Sequence, residues 1–321
     1  MTITVDDRFL DAAASVDELA VDARRGLTAE AKWLPPRWFY DERGSELFER
    51  ITELAEYYPT RTERQILADH ADEIAAAAPA ETVVELGSGS SSKTHLLLDA
   101  WQRAGTLRRI VTLDVSTSAL TEAAEVLHRR YPGVELCPVR GDFTRHLEEL
   151  DTVGRSVIVF LGSTIGNLDP GQRGQFFTAI RASLNDGDAL LLGTDLVKPA
   201  EVLIPAYDDA AGITAQFNLN VLRVLNRELA GDLPLAAFSH RAVWNAELER
   251  IEMRLRAERE VLARLAGIDL DVHFGRGEEL LTEISSKFRR EGIAAELAGA
   301  GLRLSNWWTD PRDYFAVSLA S

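Results

Sequence analysis

From residue 82 onward, short apolar runs rich in β-branched residues alternate with stretches whose apolar positions recur every three to four residues. The first spacing suits strands and the second suits amphipathic helices. The predicted strands are TVVELG (82–87), RIVTLDV (109–115), VELCPV (134–139), SVIVFLG (156–162) and ALLLGTDL (189–196). Between them, KTHLLLDAWQRAG, SALTEAAEVLHRRYPG and PGQRGQFFTAIRASLNDG read as helices with Gly or Pro at their ends. This alternation predicts an α/β domain with a doubly wound parallel sheet.

Two segments break the alternation. Residues 1–60 are helical in pattern and run into LPPRWFYDERGSELFERITELAEYYPTRT (34–62), where aromatics are far denser than the 7% average of the chain. Residues 198–286 interrupt the pattern after its fifth strand, and within them RIEMRLRA alternates strictly. That period of two puts Ile251, Met253 and Leu255 on one face and Glu252, Arg254 and Arg256 on the other, a half-exposed strand. A helix stays open as the alternative, because Glu and Arg favour one. The last 35 residues return to a helix, EGIAAELAGAG, and two strands around LRLSNWWTD and DYFAVSLAS, a terminal hairpin. The expected domains are 62–197 plus 287–321 for the sheet, and 9–61 plus 198–286 for a discontinuous second lobe.

Composition narrows the classes. At 321 residues the chain has room for two domains and a cleft enzyme, and 46% apolar residues with 27% charged is a globular balance. A net charge of −16 repels polyanions, so nucleic acid is not an expected partner. The single cysteine, Cys137, forms no internal disulfide and belongs to no zinc-ligand pattern. No basic, apolar export signal opens the chain and no run approaches the roughly 18 apolar residues of a spanning helix. The expectation is a soluble cytoplasmic protein without membrane association.

The chemistry starts at VVELGSGSSSKT (83–94). From Gly87 it reads as GxxxxGK[ST] with Ser92 for the second glycine, or as GxGxxG with Ser92 for the third. A triphosphate site wants magnesium-binding partners that the later strands do not supply, and a dinucleotide site wants the third glycine. S-adenosylmethionine, which carries no phosphate, needs only close approach at Gly87 and Gly89. Glu85 precedes the turn; Asp114 ends the next strand, where a carboxylate accepts both ribose hydroxyls. After the third strand GDF offers Asp142 to the adenine amino group and Phe143 as an apolar neighbour, and Lys93 is placed to pair with the cofactor carboxylate. Each has a structural alternative: a helix cap or rim charge for Glu85 and Asp114, a core ring for Phe143, a solvated helix residue for Lys93.

The fourth strand runs into FLGSTIGNLDP, a tight loop with Gly162, Ser163, Thr164, Gly166 and Asn167 as candidate acceptor contacts. Asn167 both donates and accepts and so suits an amine or a carboxylate, although Asn before Leu-Asp-Pro is equally a turn former.

Longer motifs add a family. EYYPTRTE, VELGSGSSSKT, VFLGSTIGNL, LLGTDLVK, AYDDAAGITAQFN, NRELAGD, RIEM, LTEISSKF and WWTD together resemble the histidine-specific Nα-methyltransferases of ergothioneine biosynthesis, from about residue 26 to the end. The resemblance implies a class I, seven-stranded Rossmann-like methyltransferase sheet with a second, α+β substrate-binding lobe. It implies trimethylation of the α-amino group of L-histidine to hercynine; separately, a monomer is expected. It places Gly87, Lys93, Asp114, Asp142 and Phe143 on S-adenosyl-L-methionine, and Tyr40 beside the reacting amine. Tyr57, Asn167 and Tyr207 hold the amino-acid end of histidine, Glu283 and Ser285 its imidazole, and Met253 lines the pocket. The choice of histidine over larger aromatic amino acids is linked in the family to the Glu and Met positions, both kept here. The departures are SSS after Gly89 and the first 25 residues. The readings left open beside it are a methyltransferase for another aromatic amino acid such as tryptophan, and a non-catalytic cofactor-binding protein.

Overall fold

A computed structural model describes residues 5–7, 12–87, 93–143, 145–147, 150 and 152–321. Gly89 and Ser92 of the glycine-rich turn lie outside the described residues. The chain divides into two compact units: residues 1–10, 59–197 and 288–321 form one, and residues 11–58 and 198–287 the other.

The first unit contains a seven-stranded sheet. Its strands in chain order are β1 (Thr82–Leu86), β2 (Arg109–Asp114), β3 (Glu135–Arg140), β4 (Ser156–Phe160), β5 (Ala189–Asp195), β6 (Leu304–Thr309) and β7 (Phe315–Ala320). Their spatial order is β3-β2-β1-β4-β5-β7-β6. The first five run parallel, and β7 enters antiparallel between β5 and β6. Parallel strands covered on both faces read as nearly continuous apolar runs, and period two then divides them between two cores. Val83, Ile110, Val157, Val159, Leu191 and Val317 face a core that includes Trp101 and residues of helix Tyr58–Ala77. Val84, Val111, Ile158, Phe160 and Leu192 face the other, with Phe176 and Phe177 of helix Pro170–Ser183. The β6–β7 turn is held by Asp310, whose Oδ1 accepts from the backbone N–H groups of Tyr314 and Phe315 at 2.7 and 2.9 Å.

The second unit is α+β. Its four-stranded sheet has the order Lys32–Trp33, Glu279–Ser286, Arg250–Ala257, Phe238–Asn245, and strands Val261–Leu265 and Leu270–Phe274 pair separately. The RIEMRLRA segment is a strand, as its alternation predicts, but its polar face is not simply solvated. Glu252 is 2% exposed and accepts from Arg250 Nε at 2.8 Å and from Arg254. Burial alone would raise its carboxyl pKa; the bonds from Arg254 and Arg250 outweigh it and hold the group below the usual range. Helix Ile213–Glu228 starts where Asp209 accepts from the N–H groups of Ile213 and Thr214 at 2.9 and 2.7 Å, which satisfies two of its orphan donors. Among the described residues no helix is long and apolar enough to cross a membrane.

Candidate functional site

In the first unit the candidate cofactor residues gather at the carboxyl ends of β1, β2 and β3, where open α/β sheets bind ligands. Gly87 follows β1 at φ +67°, and no atom of the described residues lies within 4 Å of where a Cβ would stand. The left-handed backbone there favours glycine. Downstream of the turn, two buried carboxylates hold consecutive residues. Thr94 Oγ1 donates to Glu85 of β1, and Lys93 Nζ pairs with Glu63 of helix Tyr58–Ala77. Asp114 closes β2, and its Oδ1 accepts from Ser116 N at 2.9 Å, which fixes the direction of the carboxylate. Asp114 stands in register with Arg140, two residues before Asp142, so both acids lie at the same end of adjacent strands. Phe143 is partly buried and leans on Phe160 at 4.9 Å between centroids, at the margin of the second core.

The loop after β4 is built from within. Ser163 takes φ 57°, a left-handed conformation that strains a serine, and its Oγ accepts from Asp195 N at 2.9 Å. Residues Thr164–Asn167 form one 3-10 turn. Asp169 ends the loop as an N-cap: it accepts from Gln172 N at 2.8 Å while Gln172 Oε1 accepts from Asp169 N at 2.9 Å, a reciprocal capping box. Gly162 N donates to Glu63 Oε1 at 2.7 Å.

The second unit carries the remaining candidates. Met253 and Glu283 are cross-strand partners, and Ser285 lies two residues along from Glu283, so the three share a face. All three are buried. Ser285 Oγ and Tyr207 Oη are 2.8 Å apart, and buried Lys287 donates to both, at 2.7 and 2.9 Å. Tyr57 meets Tyr207 edge-on at 6.2 Å between centroids. Tyr40 packs edge-on against Phe48 and Phe217, between a 3-10 turn and the Asp41 cap of helix Glu42–Glu53.

His240 anchors this unit's polar centre. Its Nε2–H donates to the Tyr207 carbonyl at 2.8 Å, and Nδ1 accepts from Asn218 Nδ2 at 2.8 Å, which requires the neutral ring. Asn218 Oδ1 in turn accepts from Thr282 at 2.7 Å, next to Glu283. Burial pushes the His240 pKa below its ordinary 6.5, against the opposing bond to Tyr207. Below pH 6.5 the unfolded chain therefore takes up a proton that the folded chain refuses, and stability falls at up to about 1.4 kcal/mol per pH unit until the folded ring titrates. Melting temperatures measured from pH 8 to pH 5 are expected to drop once the pH passes below about 6.5, and less steeply in His240→Gln. Parallel curves would mean that His240 does not set the pH dependence.

Periodicity did not disclose Glu63, Lys287, Asn218 or His240. Glu63 and Lys287 lie inside the segments EYYPTRTE and LTEISSKF, and a charged residue embedded in so specific a motif was the available signal.

The strand order with its reversed β7 is that of the class I S-adenosylmethionine-dependent methyltransferase sheet. The donor set suits that cofactor: carboxylates for hydroxyls and an amino group, a cation for its carboxylate tail. The family model described as "Histidine-specific methyltransferase, SAM-dependent" matches residues 19–321, and the chain belongs to that family. It is 55% identical over 312 residues to the histidine N-alpha-methyltransferase of Mycolicibacterium smegmatis, covering 97% of each chain. It is 54% identical over 300 residues to that of Mycobacterium tuberculosis, covering 94% of each. Ergothioneine biosynthesis protein 1 of Schizosaccharomyces pombe is 33% identical over 240 residues, 71% of this chain and 31% of that protein.

Proposed function

We propose that the chain transfers three methyl groups to the α-amino nitrogen of L-histidine, giving hercynine, the first step toward ergothioneine. The observation that carries this reading is the near full-length identity to two histidine N-alpha-methyltransferases. In it Gly87, Lys93, Asp114, Asp142 and Phe143 hold S-adenosylmethionine, which supplies an electrophilic methyl group on a sulfonium. Tyr57, Gly162, Asn167 and Tyr207 take the amino-acid end of histidine, and Tyr40 lies beside the amine. The chain acts as a monomer in the cytoplasm.

The residue types fit the task. Displacement at a methyl carbon is in-line, so alignment supplies much of the rate. As methyl groups accumulate the amine becomes a cation with no N–H, which tyrosine faces accept by cation–π attraction and hydrogen-bond acceptors do not. A neutral imidazole has one donor and one acceptor nitrogen. Glu283 supplies an acceptor for the first. Ser285, whose oxygen accepts from Lys287, donates to the second when Tyr207 Oη in turn donates to Ser285.

Purified protein given methyl-labelled cofactor and single amino acids is expected to label histidine, with successive mass gains of one, two and three methyl groups. Preferential labelling of tryptophan would overturn the substrate, and no S-adenosylhomocysteine with any amino acid would make the chain a non-catalytic binder.

A further inference from the structure

We propose that Glu63 is a positioning residue for the cofactor's amino-acid tail: its carboxylate fixes the Lys93 ammonium and ties it to the entrance of the loop after β4. This rests on the reading of Lys93 as the partner of the cofactor carboxylate.

Three observations carry it. First, Glu63 is 0% exposed, on a helix whose neighbouring inward positions are Ile66, Leu67 and Ile74. An acid in such a place carries a large desolvation cost, which only its bonding partners offset. Secondly, each of its two oxygens has a partner: Oε2 pairs with Lys93 Nζ, and Oε1 accepts from Gly162 N at 2.7 Å. These partners follow β1 and β4, which are adjacent in the sheet, so one carboxylate spans the carboxyl ends of both strands. Thirdly, the sheet makes room for it. Gly193, inside β5, is the residue whose Cβ would overlap Glu63 Oε1. A glycine in a strand interior weakens the strand and commonly marks such a close approach.

The consequence for binding follows from the lysine's freedom. An ammonium on a four-carbon stem loses rotamer entropy when it grips a ligand. Held by Glu63, Lys93 has lost that freedom already, and the ammonium keeps further N–H donors for a carboxylate. The Thr94–Glu85 bond fixes the backbone beside it in the same way.

The test uses two ligands that differ in the tail: S-adenosylhomocysteine, which has it, and 5′-methylthioadenosine, which does not. By calorimetry, Glu63→Gln is expected to weaken S-adenosylhomocysteine about tenfold and 5′-methylthioadenosine less than about twofold. Lys93→Met is expected to do the same, and the double variant to be no weaker than Lys93→Met alone, because the two residues act as one unit. Gly193→Ala, which displaces the carboxylate without changing any charge, is expected to reproduce the tail-selective loss. It decides the matter if circular dichroism shows Glu63→Gln unfolded. Equal weakening of both ligands, or effects that multiply in the double variant, would overturn the positioning role. Unchanged S-adenosylhomocysteine affinity in Lys93→Met would overturn the underlying reading of Lys93, whereas a loss there without one in Glu63→Gln overturns the inference alone.

Discussion

Replacing Glu283 by alanine is expected to lower kcat/KM for L-histidine by about two to three orders of magnitude while cofactor affinity stays within about twofold. The size follows from what is left behind. Glu283 is buried on a sheet face opposite Met253, so an imidazole N–H there has little water to turn to. Losing a charge-assisted acceptor in such a place costs roughly 3–4 kcal/mol, the hydrogen bond and the unpaired donor together. The candidate cofactor residues follow strands of a different sheet, at the carboxyl ends of β1, β2 and β3, so their geometry does not depend on this strand pair. Steady-state kinetics with histidine, beside calorimetry with S-adenosylhomocysteine, separates the two effects. Equal losses in both would make Glu283 a structural residue and remove it from the imidazole site.

Asp114→Ala is the second large effect, and it falls on the opposite ligand. A carboxylate that accepts from two ribose hydroxyls makes two charge-assisted bonds, and their loss is expected to raise the cofactor dissociation constant about 30- to 100-fold. Because Asp114 Oδ1 also accepts from Ser116 N, part of any loss comes from the turn that begins the next helix. Asp114→Asn keeps an acceptor for that turn and removes the charge, and its dissociation constant should fall between wild type and Asp114→Ala. Turnover of histidine at saturating cofactor should change much less than the affinity. Unchanged cofactor binding in Asp114→Ala would rule out the ribose role.

Legibility varied with the kind of force involved. The strands of the seven-stranded sheet were readable to within about two residues, because their apolar runs are local and each is long enough to be unambiguous. Alternation also identified Arg250–Ala257 as a strand, and it misjudged the polar face. Glu252 is as buried as Met253 because Arg250 and Arg254 neutralise it from the same strand. Period two reports which side chains share a face, and says nothing about what covers that face. The glycine-rich turn illustrates the same limit. Its residues suggested a ligand class, but the partner of Lys93 was not deducible from the turn, since that partner is 30 positions earlier in a helix of a different motif.

The amino-acid order by itself determined the alternation of strand and helix, the places where the sheet pattern stops and resumes, and the motifs that mark the family. Those features depend on neighbours a few residues apart, and hydrophobic spacing records them directly. Only the tertiary structure decided that Glu63 serves both Lys93 and Gly162, the latter 99 positions away, and that Lys287 faces Ser285 and Tyr207. A buried charge must be compensated where it lies, and the compensating group is whichever one the packing brings within hydrogen-bond distance.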